Sequence, residues 1–159
     1  SRSRRHSRAP SVRGEGRALS LYAESSAVLA WILGETQGEI AASALAQSEL
    51  ILSSEITLIE CERALIRAVH AGTIREAQVA DLRARIRVAS AHWTLFSLQA
   101  EIADRARQPF PHEPVRTLDA IHLATLVVAR ALVPDLQVLS LDERIRTNAR
   151  DLGFEVVPR

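Results

Sequence analysis

Residues 136–157 read LQVLSLDERIRTNARDLGFEVV. The run 136–139 is short and apolar, 142–152 is long enough for a helix and closes at Gly153, and 154–157 is again short and apolar. Runs of about four residues suit strands rather than helices, and glycine tolerates the left-handed conformation common just past a helix end. The segment therefore predicts strand, helix, strand. Outward from it the same alternation recurs. Residues 18–23 (ALSLYA), 50–53 (LILS) and 93–96 (WTLF) read as strands. Residues 25–33 read as a helix capped by Ser25 or Ser26 and ended by Gly34, followed by helices at 39–47, 58–70, 74–89, 98–107 and 118–132, the last capped by Thr117. Leu58, Ile59, Ala64, Leu65, Ile66 and Val69 supply the apolar positions of 58–70, and Val79, Leu82, Ile86 and Val88 those of 74–89. The proline-rich stretch QPFPHEPVR at 108–116 cannot continue a helix. Strands alternating with helices imply an α/β fold, a parallel sheet with helices on both faces.

The chain has 159 residues, of which 47% are hydrophobic and 25% charged, values expected of one ordinary globular domain. Aromatics are only 4%, so Leu, Ile, Val and Ala must build the core. No apolar run reaches the roughly 18–20 residues that would span a membrane, and a cytoplasmic location is the default expectation. One cysteine, Cys61, excludes an intrachain disulfide. Charge is unevenly spread. Residues 1–17 hold six Arg and one Glu, and the whole chain is +1, so residues 18–159 carry the difference, −4. A mildly acidic folded part argues against gripping nucleic acid by bulk charge alone. Residues 1–17 have the composition of a disordered basic tail. The absence of any Met sets the first residue off from a native start, so part of that tail reads as vector-derived. The domain proper is read as 18–159.

In an open parallel sheet, sites form beyond the carboxyl ends of the strands. Glu24 stands directly after the first strand and Asp142 shortly after 136–139, each at the start of a helix, where unpaired backbone N–H groups favour a carboxylate. Asp119 sits in the first turn of the most apolar helix, within RTLDAIHLATLVVARAL, where its charged form needs a partner. Glu60, within ITLIECERAL, joins the same group if it faces inward, leaving Glu62 and Arg63 to solvent. Acids at helix starts are also ordinary capping and dipole residues. Clustered carboxylates repel one another, however, and a hard divalent cation with a preference for oxygen, Mg²⁺ or Mn²⁺, would neutralise them. His122 reads as local packing. The histidines form no acid–base pair, and Cys61 has no partner that would make it a nucleophile.

Four segments in order, SLYAESSAVLAWI, ITLIECERAL, RTLDAIHLATLVVARAL and LQVLSLDERIRTNARDLGFEVVP, resemble the acidic motifs of PIN-domain ribonucleases, most closely the toxin component of VapBC-type toxin–antitoxin pairs. The resemblance spans about residues 19–158. It implies a three-layer α/β/α sandwich around a mostly parallel sheet. Glu24, Glu60, Asp119 and Asp142 would be the catalytic, Mg²⁺- or Mn²⁺-binding acids. The implied activity is endonucleolytic cleavage of RNA such as tRNA or rRNA, by water attack leaving 5′-phosphate and 3′-hydroxyl ends. A cognate antitoxin and a homodimeric state are implied as well. Ser26, Ser140, Arg116, Arg144 and Asn148 would support the acids or contact phosphate and substrate. The family usually has Asp where this chain has Glu24, one methylene longer. That departure keeps open a catalytically impaired protein-binding domain of the same fold, and a related single-strand or flap DNA nuclease is the other alternative. A response-regulator receiver, which also gathers acids at strand ends, needs a lysine, and this chain has none.

Overall fold

The computed structural model describes residues 18–159, so the expectations for 1–17 lie outside the described residues. Five strands form one sheet: β1 (Ser20–Ala23), β2 (Leu50–Ser54), β3 (Thr94–Phe96), β4 (Gln137–Leu139) and β5 (Val156–Val157). Their order is β3-β2-β1-β4-β5 and every pairing is parallel. The helices are α1 (Ser25–Leu33), α2 (Gly38–Gln47), α3 (Glu55–His70), α4 (Glu76–Ser90), α5 (Ala100–Ala106), α6 (Thr117–Leu132) and α7 (Glu143–Asp151).

Alternation along the strands divides the core in two. Tyr22, Leu52, Phe96 and Val138 face one side, where Ile102 of α5, Leu123 and Leu126 of α6 and Ile145 of α7 cover them. Leu21, Ala23 and Leu139 face the other, under Val28 of α1, Cys61 and Leu65 of α3 and Val79 of α4. Successive strand side chains point to opposite faces, so a sheet buried on both sides becomes the middle of an α/β/α sandwich.

The topology also sets where a site forms. From β1 the chain adds β2 and β3 on one side, then returns to place β4 and β5 on the other. Connections leaving β1 and β4 therefore diverge to opposite faces, and their carboxyl ends flank the switch-point crevice in which open α/β sheets bind ligands. Glu24 N–H donates to Leu139 O at 3.0 Å, tying the two strand ends together.

Several sequence expectations need correction. The cap of α1 is Glu24, not Ser25 or Ser26. Helix α3 begins at Glu55 because Ser54 Oγ accepts from Ile56 N–H at 3.1 Å. Thr117 is the first residue of α6 and Arg116 its cap position, with no side-chain cap bond. The buried row of α3 is Thr57, Cys61 and Leu65, spaced by four, which turns Ile59 and Ile66 away to 56% and 42% exposure. Val88, two residues past the buried Ile86 and so on the far side of α4, is exposed.

Candidate active site

Glu24 is 4% exposed and both carboxylate oxygens are engaged. Oε1 accepts from Ser25 Oγ at 2.6 Å and from Ser26 N–H at 3.2 Å. Oε2 accepts from Ser140 Oγ at 2.7 Å and also from Ser26 Oγ. Ser26 Oγ in turn accepts from the backbone N–H groups of Leu141 and Asp142 at 2.8 and 3.1 Å. Glu24 thus caps α1 and, through two serines, pins the turn that carries Asp142. The longer side chain matters here: it folds back over its own helix N-terminus and still reaches β4.

Asp142 caps α7, accepting from Arg144 N–H at 2.9 Å, and its Oδ2 pairs with the Arg144 guanidinium at 2.9 Å. Partial burial pushes its pKa up, but the side-chain and backbone bonds from Arg144, with its charge and that of Arg116, outweigh burial and hold the carboxyl below its usual range. Asp119 is 9% exposed. Its Oδ2 meets Arg116 Nε at 3.3 Å and Arg144 Nε at 3.6 Å, both longer than the roughly 2.7–2.9 Å of a well-made charge-assisted bond. Both arginines are exposed over more than half of their side chains. A nearly buried carboxylate is therefore held only loosely by solvent-facing cations.

Glu60 lies in the second turn of α3, facing inward with a quarter of its side chain exposed, and its Oε1 bonds His122 Nε2 at 2.6 Å. His122 stands on α6, one turn past Asp119, and its Nδ1 bonds the Tyr22 hydroxyl at 2.9 Å. The histidine is buried as the sequence predicts, but it also grips one of the four acids. The sequence offered only its three-residue offset from Asp119 as a signal. The four acids are consequently linked in a chain: Glu24 to Asp142 through Ser26 and Ser140, Asp142 to Asp119 through Arg144, and Asp119 to Glu60 through α6 and His122. Among the described residues, no three His, Cys, Asp or Glu side chains stand together as a ready-made metal cage.

Asn148 is built into the scaffold rather than presented to solvent. Its Oδ1 accepts from His112 N–H at 2.9 Å and its Nδ2 donates to Arg144 O at 3.0 Å, which fastens the proline-rich loop to α7. A cavity of about 250 Å³ opens beside Asp119, lined by His112, Val115, Arg144, Thr147 and Asn148 among others. Arg146, which sequence reasoning did not single out, is 8% exposed and donates to Ser140 O and Pro158 O at 2.7 and 2.6 Å, holding the end of β4 against the C-terminal segment. Burial, with Glu60, Glu24 and Glu62 nearby, pushes the Cys61 thiol up to about 12, so it stays protonated and is no nucleophile.

The donor chemistry fits a hard divalent cation. The four candidate acids are oxygen donors of the kind such a cation takes, and Asp119, 9% exposed, is met by two arginines at 3.3 and 3.6 Å. An α/β/α sandwich with carboxylates at the switch point is the class that fold and site define. The family comparison agrees: the PIN domain model matches residues 21–151, and the chain belongs to that family. Ribonuclease VapC46 of Mycobacterium tuberculosis is 31% identical over 139 residues, covering 87% of this chain and 96% of the relative. Ribonuclease VapC35 from the same organism is 32% identical over 139 residues, with 86% and 95% covered. Two solved structures share the fold. A toxin–antitoxin complex from Klebsiella pneumoniae has a TM-score of 0.59 at 19% identity, with 88% of this chain and 98% of that one covered. Mycobacterium tuberculosis VapC20, a sarcin–ricin loop cleaving toxin, has a TM-score of 0.58 at 15% identity, with 84% and 95% covered.

Proposed function

We propose that this chain is a Mg²⁺- or Mn²⁺-dependent endoribonuclease toxin acting on structured RNA such as tRNA or rRNA. A cognate antitoxin holds it in check, and it works as a homodimer. The observation that carries the reading is Asp119: a nearly buried carboxylate in the first turn of α6, met at 3.3 and 3.6 Å by two exposed guanidiniums, one of which also pairs with Asp142. The ribonuclease names of the relatives at 31–32% identity support RNA as substrate, and the Klebsiella complex supports an antitoxin.

Asp119, Asp142 and Glu60 would hold the ion, with Glu24 acting directly or through water. When bound, the cation neutralises the carboxylate edge and the phosphodiester and makes water more acidic. With Oε1 held by His122, the other Glu60 oxygen would serve as the ligand. Ser26 and Ser140 keep Glu24 and the Asp142 turn in fixed relation. Arg116 and Arg144, both exposed and paired with the acids, would be the side chains placed to meet a phosphate. Water would attack phosphorus as the P–O3′ bond breaks, losing a proton to solvent while the departing 3′ oxygen takes one up, which leaves a 5′-phosphate and a 3′-hydroxyl.

Calorimetry with Mn²⁺ at pH 7.5, comparing this chain with Asp119→Asn, is the first test. Binding that is lost in the variant supports the site, and cleavage of tRNA to 5′-phosphate ends supports the activity. A cyclic or 3′-phosphate product would exclude water attack. Because both Glu24 oxygens are already engaged, a second reading is a metal-free, protein-binding domain. Absent Mn²⁺ binding with retained antitoxin binding would favour it.

A further inference from the structure

The Tyr22–His122–Glu60 line crosses the molecule from the central strand to α6 to α3. Tyr22 and His122 are 0% and 1% exposed, beside the apolar cluster of that face and the buried Thr125 and Ser54. A buried polar line of this kind is costly unless each member is satisfied, and these are. One proton can be assigned from the chemistry of the end group. A carboxylate oxygen only accepts, so the 2.6 Å contact to Glu60 Oε1 places a proton on His122 Nε2. On the other side of the ring Nδ1 lies 2.9 Å from the Tyr22 hydroxyl, a hydrogen bond that fixes the plane of the imidazole.

We propose that His122, its ring fixed by Tyr22, is a positioning residue that holds Glu60 Oε1 through Nε2–H and so presets the Glu60 carboxylate for a cation. Glu60 has the rotamer freedom of any glutamate and is a quarter exposed. Fixing it in advance removes an ordering cost that ion binding would otherwise bear. The inference rests on the metal reading above. It adds that the ion's affinity depends on two buried residues that never touch it, as outer-shell partners of metal ligands commonly do.

Mn²⁺ calorimetry and thermal melts on His122→Leu, His122→Gln and Tyr22→Phe, each also made in a Glu60→Ala background, separate positioning from packing. Gln returns an N–H donor near the place of Nε2. His122→Leu is expected to weaken Mn²⁺ binding about tenfold or more, and His122→Gln to recover most of the loss. The His122→Leu effect should vanish when Glu60 is Ala. If His122→Leu does not fold, Tyr22→Phe carries the same expectation with the ring packing kept. Nitrogen-resolved NMR of the native chain should show the His122 proton on Nε2. A bare Nε2, unchanged Mn²⁺ affinity in folded variants, or an equal loss with and without Glu60 would each overturn the proposal while leaving the metal site standing. No Mn²⁺ binding by the native chain would overturn the metal reading and this inference with it.

Discussion

Asp142 shows how one residue answers to two environments. Burial favours its neutral form, yet the neighbouring N–H and guanidinium of Arg144 favour the charged form more strongly. Its folded pKa is therefore lower than in the unfolded chain, where about 3.9 is usual. A depressed carboxyl stabilises the fold above the unfolded value and loses that contribution as pH falls through the folded one. In EDTA, the difference in melting temperature between the native chain and Asp142→Asn should be largest near pH 7 and should close below pH 4. A difference that stays constant across the range would show that the loss is geometric. At the same scale, the four candidate acids could be named from their motif positions, but their partners could not. His122 and Tyr22 are 100 residues apart, and His122 and Glu60 are 62 apart. Nothing in local spacing announces such pairs.

At the scale of elements, strand and helix identities followed from pattern, while edges and facing depended on neighbours. Glu24 displaced two serines as the cap of α1 because its carboxylate reaches its own first turn and β4 together. Ile59 and Ile66 read as apolar and therefore buried, but the i, i+4 row that meets the sheet runs through Thr57, Cys61 and Leu65. The α1–α2 corner is tight enough to test directly. A Cβ added at Gly38 would sit 2.3 Å from Ala30 O, a backbone atom. Gly38→Ala should therefore cost about 1–3 kcal/mol, the range of overpacking, seen as a lower melting temperature with an unchanged α/β circular dichroism spectrum. An unaltered melt would mean that the corner can open without loss.

For the whole molecule, charge and topology act together. The described residues carry the acidic balance of the chain, and the parallel order β3-β2-β1-β4-β5 delivers Glu24 and Asp142 to a single crevice. If that crevice binds a divalent ion only when folded, the ion stabilises the fold by mass action. Mn²⁺ at a hundredfold excess over its Kd should add about 2.7 kcal/mol of stability. The shift in melting temperature should be reversed by EDTA and absent in Asp119→Asn. A shift of equal size in that variant would place the ion elsewhere.

The order of strands and helices, the parallel sheet and the family were all determined by sequence. Periodicity, glycine stops and motif order are local properties that a linear chain carries openly. Only the tertiary structure decided which groups the candidate acids face. Glu24 sits in a cage of serines, Asp119 lies loosely against two arginines, and Glu60 is gripped by a histidine that is itself gripped by a tyrosine. The physical reason is that a buried polar group takes whatever partner the packing of distant elements brings within about 3 Å. That packing is settled by how the two halves of the core close on the sheet, not by neighbours along the chain.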